Sequence, residues 1–385
     1  MEIRKLCDEI FEDVVDIRRR IHRHPEVGMK CEKTIDLICA ELDKYGITYK
    51  RLDNSGVIGE IVGTKENSDK TIILRADMDA LDIKEETGLP FSSEIEGKMH
   101  ACGHDMHTAM LLGASRILSE NKDKFKGKVR LLFQAGEEVS DGALYLIENG
   151  ALDGASMGFA MHMDPLSRTH TISARKGPVW AAVDRFKVTI TGKGGHGAMP
   201  HKNIDATICA SSLALNLQTL VSRECDPLKS LVVTIGQFHS GTAYNIISEK
   251  AILEGTCRCF DDDVYNSLPE SFERVCRGIA EAYRCEVDIV FERLCKPLIN
   301  DDKAFDLMQE SAKKILLNED DFFISEKAMI GEDFSEYASR IPCVFVHLGA
   351  DGGYPLHNSH INFNEDSMKT GMALAVQFAL DALDN

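Results

Sequence analysis

The sequence predicts an α/β protein in which a smaller α+β unit is inserted into a larger layered domain. Its 385 residues exceed the usual size of one hydrophobic core, so two domains are expected. Short β-rich runs alternate with helical runs over residues 1–177, and the alternation returns after residue 293. We therefore predict a discontinuous domain of residues 1–177 and 294–385 around an insertion of residues 178–293.

Apolar spacing and breaker residues place the elements of the larger domain. The first helix carries apolar residues at helical intervals from Leu6 to Ile21. The helix that follows it, at 34–45, is ended by Gly46. The predicted strands lie at 57–62, 71–75, 128–133, 157–161 and 344–348, and the other helices at 34–45, 108–120, 141–149, 304–316 and 367–383. This alternation is typical of an α/β layered fold.

The pattern changes at Gly177 and Pro178 to fewer, longer elements. Strands are predicted at 185–191, 231–238, 251–258 and 286–292, with helices at 204–221 and 268–284. The resulting β-α-β-β-α-β order predicts a compact unit of the ferredoxin-like type.

Composition and charge narrow the class of protein. Apolar residues make up 44% and charged residues 28% of the chain, which is ordinary globular composition. A net charge of −18 disfavours nucleic acid as a partner. The charged amino-terminal stretch and the absence of a long apolar run predict neither a signal peptide nor a membrane partner. Twelve cysteines without a disulfide-framework spacing are expected to be reduced, in a cytoplasmic protein.

A dense group of metal-binding residue types lies just before the predicted helix at residues 108–120. His100, Cys102, His104 and His107 fall within eight residues, beside a glycine that permits a tight backbone turn. Each residue alone is more often a packed or hydrogen-bonded core residue. Clustered in a loop, they indicate metal ligands.

Further candidate ligands stand where predicted strands end. The strand at 128–133 runs out into Glu137 and Glu138, the strand at 157–161 delivers His162, and the strand at 71–75 leads to Asp77 and Asp79. Strand ends of an α/β sheet face the crevice in which such folds place their sites. We therefore expect these segments to converge on one edge of the sheet.

Five motifs together resemble one protein family. RADMDAL, MHACGHDMH, FQAGEE, GKGGHGAMPH and GEDFSEYA occur in the order seen in the aminoacylase, hippurate hydrolase and auxin-conjugate amidohydrolase branch of the metallopeptidases related to carboxypeptidase G. The resemblance covers nearly the whole chain. It implies an aminopeptidase/phosphorylase-like α/β/α catalytic domain, an inserted lid and dimerisation domain, and hydrolysis of N-acyl amino acids.

The resemblance also implies a site that holds two divalent metal ions. By motif position, Cys102 would bridge the two ions, His104 and His162 would complete one of them, and Glu138 and His357 the other. Manganese or zinc is expected, with cobalt or nickel also compatible with this mixed ligand set.

The same comparison assigns the catalytic and orienting groups. Glu137 would be the general base and acid, serving a hydroxide shared by metals ~3.5–4 Å apart, and Asp79 would orient a ligand. In the inserted unit, His196 would donate to the developing oxyanion, often from the neighbouring subunit of a homodimer. Asn245 matches a substrate-binding position, and Arg258 is a further candidate for the substrate carboxylate.

The chain departs from the family pattern at three places. After His357 the sequence reads Asn358-Ser359, whereas relatives commonly have serine or histidine and then proline after this ligand. Ile361 stands where relatives have an aromatic residue, and His360 is the fallback ligand. Gly136 alters the turn before the paired acids. Asp77 stands where distant relatives carry a metal-binding histidine.

Other functions stay open at this point. A dipeptidase or aminopeptidase would recognise a free amine, and an N-acetyl-diaminopimelate deacetylase would be a narrower member of the same branch. A metal-free scaffold that acts as a binding protein is disfavoured because Cys102, Glu137 and Glu138 are intact. A hydrolase using Cys102 as nucleophile would not need His162 and Glu138, and it would survive a chelator.

Overall fold

The computed structural model describes residues 2–385. The helices, in chain order, are α1 (Ile3–Arg23), α2 (Glu32–Lys44), α3 (His104–Glu120), α4 (Gly142–Glu148), α5 (Ala206–Thr219), α6 (Asp262–Ala282), α7 (Asp302–Ile315), α8 (Ser335–Ala338) and α9 (Ser367–Asp384). The strands are β1 (Thr48–Leu52), β2 (Gly56–Val62), β3 (Thr71–Asp77), β4 (Lys128–Gln134), β5 (Ala155–Asp164), β6 (Ile172–Ala174), β7 (Gly177–Trp180), β8 (Ala182–Thr191), β9 (Gly195–His196), β10 (Leu231–Ser240), β11 (Ile246–Ile247), β12 (Lys250–Cys259), β13 (Glu286–Cys295), β14 (Leu298–Asn300), β15 (Phe322–Ile324) and β16 (Cys343–Gly349).

The chain forms two compact units. The larger unit comprises Met1–Val179, Ile299–Glu326 and Asp333–Asn385, and the smaller comprises Trp180–Leu298 and Lys327–Glu332. The short segment at 327–332 belongs to the smaller unit, where the Ala181 amide donates to the Ile330 carbonyl at 2.9 Å. The boundaries at 178 and 293 stay a prediction about separately folding domains.

The larger unit is built on an eight-stranded mixed sheet with the order β1-β2-β4-β3-β5-β16-β6-β15. Its central strands β4, β3, β5 and β16 run parallel, whereas β1, β2 and β4 pair antiparallel. Every residue of β3 is buried, as expected of a central parallel strand covered by helices. Helices α1, α3, α7 and α9 pack together, and α4 and α8 contact strands β4 and β16. The α/β prediction is confirmed.

The smaller unit has the four antiparallel strands of the ferredoxin-like arrangement. Its sheet order is β10-β12-β8-β13, and helices α5 and α6 pack on it. Phe186 and Phe272 meet in its core with ring centroids 4.7 Å apart. The predicted β-α-β-β-α-β order is present.

Two predicted helix starts were wrong, and the edge strand β1 was missed. Helix α3 begins at His104 rather than at residue 108, so one candidate ligand lies in its first turn. Helix α6 begins at Asp262 rather than at residue 268, because acidic side chains stabilise the positive end of a helix dipole. The polar edge strand β1 was not predicted, since Thr48–Leu52 lacks an apolar alternation. Within residues 2–385, no helix combines the length and apolar composition that crossing a membrane requires.

Candidate metal centre

Three parallel strands of the large sheet end side by side, and four of the predicted site residues lie at or just beyond their ends. Asp79 lies just beyond β3, Glu137 and Glu138 follow β4, and His162 lies near the end of β5. Because the carboxyl ends of parallel strands share one edge of the sheet, these side chains are gathered in one place.

The turn after β4 presents the two adjacent acids. Gly136 adopts a φ of +75°, a conformation that side chains other than glycine rarely take, and a Cβ there would collide with Met29. The backbone amides of Glu137 and Glu138 donate to the two carboxylate oxygens of Asp79, each at 3.1 Å. Asp79 is fully buried, and it fixes the direction in which both glutamates leave the backbone.

A second tight turn places Cys102 and His104 beside these acids. Gly103 has a φ of +87° and immediately precedes α3, and its missing side chain leaves room for Met163 and Phe363. Cys102 and His104 are both buried. The Cys102 thiol lies 3.4 Å from His162 Nε2.

The predicted ligands form two donor triads that share one residue. Cys102, His104 and His162 make one triad, and Cys102, Glu138 and His357 make the other, with the donor atoms of each triad within 4.8 Å of one another. His357 Nε2 lies 3.5 Å from Glu138 Oε1. These five residues could hold two cations, with Cys102 common to both triads.

Unsatisfied polar atoms show that the residues fit cations. Both ring nitrogens of His104 and Oε1 of Glu138 are buried without a hydrogen-bond partner. Buried polar atoms are normally paired, so unpaired imidazole and carboxylate atoms within one cluster are typical of ligands for an ion. His104 Nε2 also lies 4.0 Å from Glu137 Oε2, which brings the predicted base next to the centre.

The buried carboxylates of the cluster favour positive charge beside them, as the raised pKa values of Cys102 and His104 indicate. Burial, together with the carboxylates of Glu138 and Glu137, raises the pKa of the Cys102 thiol well above its usual range. Burial lowers the pKa of His104, but Asp77 and Asp79 outweigh it and raise that pKa to about 10. A divalent cation would replace the protons on both groups and convert them to ligands.

For two further proposed ligands, His162 and Glu138, the pKa is lowered instead. Burial and the neighbouring His107 lower the pKa of His162 well below its usual range, so its imidazole is neutral and able to bind metal. Burial alone would raise the pKa of Glu138, but His357 and His104 lower it overall. Both residues are therefore in their metal-binding protonation state near neutral pH.

The structure separates the two candidate histidines near the carboxyl terminus. The backbone amide of His357 donates to the Ala101 carbonyl at 3.0 Å, next to Cys102, and His357 adopts a left-handed φ of +63°. His360 instead lies beside Ser359, at 3.0 Å, and Glu86. Of the two, His357 is the one that lies with Cys102 and Glu138.

The predicted substrate-binding residues lie in the smaller unit. His196 and Asn245 are neighbours, because β9 pairs with β11 and the Gly197 amide donates to the Asn245 carbonyl at 2.8 Å. Both side chains are exposed. Arg258, on β12, donates to the Met329 carbonyl. Their roles toward a substrate stay predictions.

Two buried residues that the sequence offered as candidates, but to which it assigned no role, lie beside the ligands. Asp77 and His107 are bonded to each other, with His107 Nδ1 2.5 Å from Asp77 Oδ1, and with His104 they form a third donor triad. Strand alternation places Asp77 on the face of Asp79, and helical spacing places His107 on the face of His104. Those two periodicities are the sequence signal that could have grouped them with the site.

The fold and the site define a class of protein: a metal-dependent hydrolase with its centre at the carboxyl edge of a mixed sheet. A sequence profile of peptidase family M20/M25/M40 matches residues 73–381. The chain belongs to this family, and its amidohydrolase branch is the one that the motifs predicted.

Individual relatives agree with that assignment. An N-acetyl-L-cysteine deacetylase of Bacillus subtilis (strain 168) is 39% identical over 375 residues, covering 97% of this chain and 89% of that protein. An N-acyl-L-amino acid amidohydrolase of Geobacillus stearothermophilus is 40% identical over 306 residues, covering 79% and 82%. A Bacillus subtilis crystal structure, described as a dinuclear metal-binding peptidase of the M20 family, has a TM-score of 0.86 and 32% identity, covering 98% of this chain and 99% of that one.

Proposed function

We propose that this protein hydrolyses the amide bond of N-acyl amino acids, releasing a carboxylic acid and a free amino acid. The observation that carries the proposal is the pair of donor triads sharing Cys102, with Glu137 beside them. Relatives that deacetylate N-acetylcysteine or act on N-acyl-L-amino acids support this substrate class. The acyl group itself is left to experiment.

The centre is proposed to hold two divalent metal ions. Cys102 would contact both, His104 and His162 would complete one, and Glu138 and His357 the other. When bound, the ions would supply Lewis acidity, which lowers the pKa of a water and stabilises negative charge on the carbonyl oxygen. A thiolate favours zinc, and the mixed ligand set also suits manganese, cobalt or nickel.

Glu137 is proposed to move the protons of the reaction. Its carboxylate stands next to His104, and its backbone amide is held by Asp79. From there it would accept a proton from the attacking water and then donate it to the nitrogen of the leaving amine, as the amide bond breaks. Asp79 positions this group and takes no proton.

The smaller unit is proposed to bind the substrate and a second subunit. His196 would donate to the developing oxyanion, and Asn245 and Arg258 would bind the substrate carboxylate. The exposed apolar residues Ile208 and Leu215 on α5 support a homodimer through this unit. The free thiols of all twelve cysteines support a reducing, cytoplasmic location.

A substrate panel tests the proposed activity. The metal-loaded protein should be offered acetyl, benzoyl, long-chain acyl and indole-acetyl amino acids, N-acetyl-diaminopimelate and free dipeptides. Turnover of acylated amino acids that is lost on chelation and restored by Mn²⁺ or Zn²⁺ is the expected result. Cleavage of free dipeptides alone would make the protein a dipeptidase, and turnover of N-acetyl-diaminopimelate alone would make it that deacetylase. Activity that survives the chelator would point instead to Cys102 as a nucleophile.

A further inference from the structure

His107 is a buried histidine beside the metal centre whose two ring nitrogens are both bonded to protein. The Met163 backbone amide donates to His107 Nε2 at 2.9 Å. Since an amide can only donate, Nε2 carries no proton, and Nδ1 must hold the proton that it shares with Asp77 at 2.5 Å. His107 therefore has no lone pair left for a metal, although it lies within the third donor triad.

The partner of His107 is itself held in one orientation. Asp77 is fully buried, and its second carboxylate oxygen accepts from Arg75 at 2.5 Å. Arg75 also bonds Asp333 at 2.8 Å and Gln134 at 3.1 Å. Arg75 can only donate, so it keeps Asp77 ionised and fixes one of its oxygens as an acceptor. The other oxygen accepts the proton that His107 holds on Nδ1.

His107 lies beside the end of β5 on the side of β3, whereas β16 pairs with β5 on the other side as far as Asp164. The pairing of β3 with β5 ends at Arg75 and Ala160, whereas β5 continues to Asp164. The Met163 amide, beyond that end, donates to His107 instead of to a strand. His107, a side chain of α3, thereby anchors the backbone of Met163 near the end of β5.

The last residues of β5 include a proposed metal ligand. The Met163 carbonyl accepts from His162 Nδ1 at 2.8 Å, so the proton of His162 is on Nδ1 and the lone pair of Nε2 faces the Cys102 thiol, 3.4 Å away. The rings of His107 and His162 also pack edge to face, with centroids 4.9 Å apart.

We propose that His107, anchored by Asp77 and Arg75, is a positioning residue that holds His162 in its metal-binding orientation and tautomer. It would thereby set the affinity of one of the two metal sites, the one completed by His104 and His162. This inference rests on the proposed ligand set and adds a residue that touches neither metal nor substrate.

The test is a titration of the metal-free protein with Co²⁺ alone, followed by its visible ligand-field and near-ultraviolet thiolate bands. His107→Gln should weaken one of the two Co²⁺ equivalents on the order of 10–100-fold and leave the other unchanged. His170→Gln is the matched control, since His170 also has both ring nitrogens bonded to side chains, those of Thr370 and Asp366, and neither belongs to this chain of bonds. It should bind both equivalents as wild type does.

A second variant covers the case in which His107→Gln fails to fold. In Asp77→Asn the side chain keeps its shape. Because Arg75 can only donate, the amide oxygen is expected to face Arg75 and the amide NH₂ to face His107 Nδ1. That moves the His107 proton to Nε2, against the Met163 amide, so the same Co²⁺ equivalent should weaken. Unchanged affinity in either folded variant, or equal weakening of both equivalents, overturns the inference. A wild-type protein that binds fewer than two Co²⁺ ions refutes the metal centre itself.

Discussion

Glu137 and Glu138 are adjacent in the chain, yet their carboxylates have different surroundings. Glu138 shares its triad with Cys102 and His357, and its pKa is lowered by His357 and His104 against the effect of burial. Glu137 points beside His104 without belonging to either triad built on Cys102. Asp79 accepts hydrogen bonds from both backbone amides. One buried carboxylate therefore orients both glutamates, the proposed metal ligand Glu138 and the proposed proton carrier Glu137.

Replacing Glu137 by Gln is expected to lower kcat about 10²–10⁴-fold, because the amide cannot accept the proton of the attacking water. Metal content should stay at the wild-type level, since no proposed ligand is removed. Steady-state kinetics and elemental analysis of the same sample measure the two effects. Glu138→Gln is the matched comparison and should lose metal. A Glu137→Gln enzyme with wild-type kcat would remove the residue from the mechanism.

The choice between His357 and His360 can be decided in the same way. His357→Ala should lose about one of the two metal ions, because it deletes a ligand atom from the triad with Cys102 and Glu138. His360→Ala should keep both, since its ring contacts Ser359 and Glu86 instead. Elemental analysis after dialysis against a metal-free buffer measures both. The reverse pattern would make His360 the ligand.

At the scale of elements, helix α6 contains a proline whose missing hydrogen bond is replaced by a side chain from another element. Pro269 lies inside the helix and has no N–H to give to the carbonyl of Tyr265, four residues earlier. Arg293 on β13 donates to that carbonyl and also stacks on the Tyr265 ring at 3.4 Å. The same guanidinium faces Asp184, whose pKa burial raises to about 6 against the effect of Arg293.

Removing this arginine should destabilise the smaller unit in a way that depends on the proline. Arg293→Met is expected to cost about 1–3 kcal/mol in free energy of unfolding, because a helix carbonyl loses its donor. In a Pro269→Ala background the cost should be smaller by on the order of 1 kcal/mol, since an alanine at this position restores the backbone bond. Urea unfolding of the four proteins in this cycle gives the coupling. Additive costs would show that the two residues act independently.

At the scale of the whole molecule, the larger unit is assembled from distant parts of the chain. Strand β16, which follows the insertion, lies between β5 and β6, and α9 at the carboxyl terminus packs on α1 and α3. Arg18 on α1 bonds Asp105 on α3 at 2.7 Å and Glu365 before α9 at 3.2 Å, and the Arg18 and Asp105 side chains are fully buried. The catalytic edge of the sheet is therefore complete only when both ends of the chain have folded.

One largely enclosed histidine, His347 on β16, makes the stability of this molecule depend on pH. Burial lowers the pKa of His347 to about 4, although Asp164 opposes the shift. The unfolded chain, with a histidine pKa of about 6.5, binds this proton more readily than the folded state. The contribution of neutral His347 is therefore complete above about pH 6.5 and is lost as the pH falls toward about 4.

His347→Gln should accordingly flatten the fall of the unfolding free energy with decreasing pH, by up to about 1.4 kcal/mol per pH unit within that window. Urea unfolding of the metal-free protein at several pH values measures the slope. His239→Gln removes an exposed histidine and should leave the slope unchanged. Equal slopes for His347→Gln and wild type would contradict the prediction.

Much of the fold was predictable because its signals are local. The apolar runs of β3, β4 and β5 and the helical spacing of α1 need no knowledge of the rest of the chain. Strand β1 and the first turns of α6 were missed because they depend on contacts with other elements of the chain. The polar residues of β1 are ordered by pairing with β2, and Pro269 in α6 is tolerated because Arg293 comes from another element.

The sequence by itself determined the α/β class, the inserted α+β unit, and the residue types of the centre, because periodicity and short motifs are properties of neighbouring residues. The motifs favoured His357 over His360, and the tertiary structure places His357 with Cys102 and Glu138. Only the tertiary structure decided that His107 is bonded to the backbone of Met163, whose carbonyl accepts from His162. Those relations depend on where a strand loses its neighbour and which hydrogen-bond donors meet which acceptors. Such meetings arise between residues far apart in the chain, and no local pattern records them.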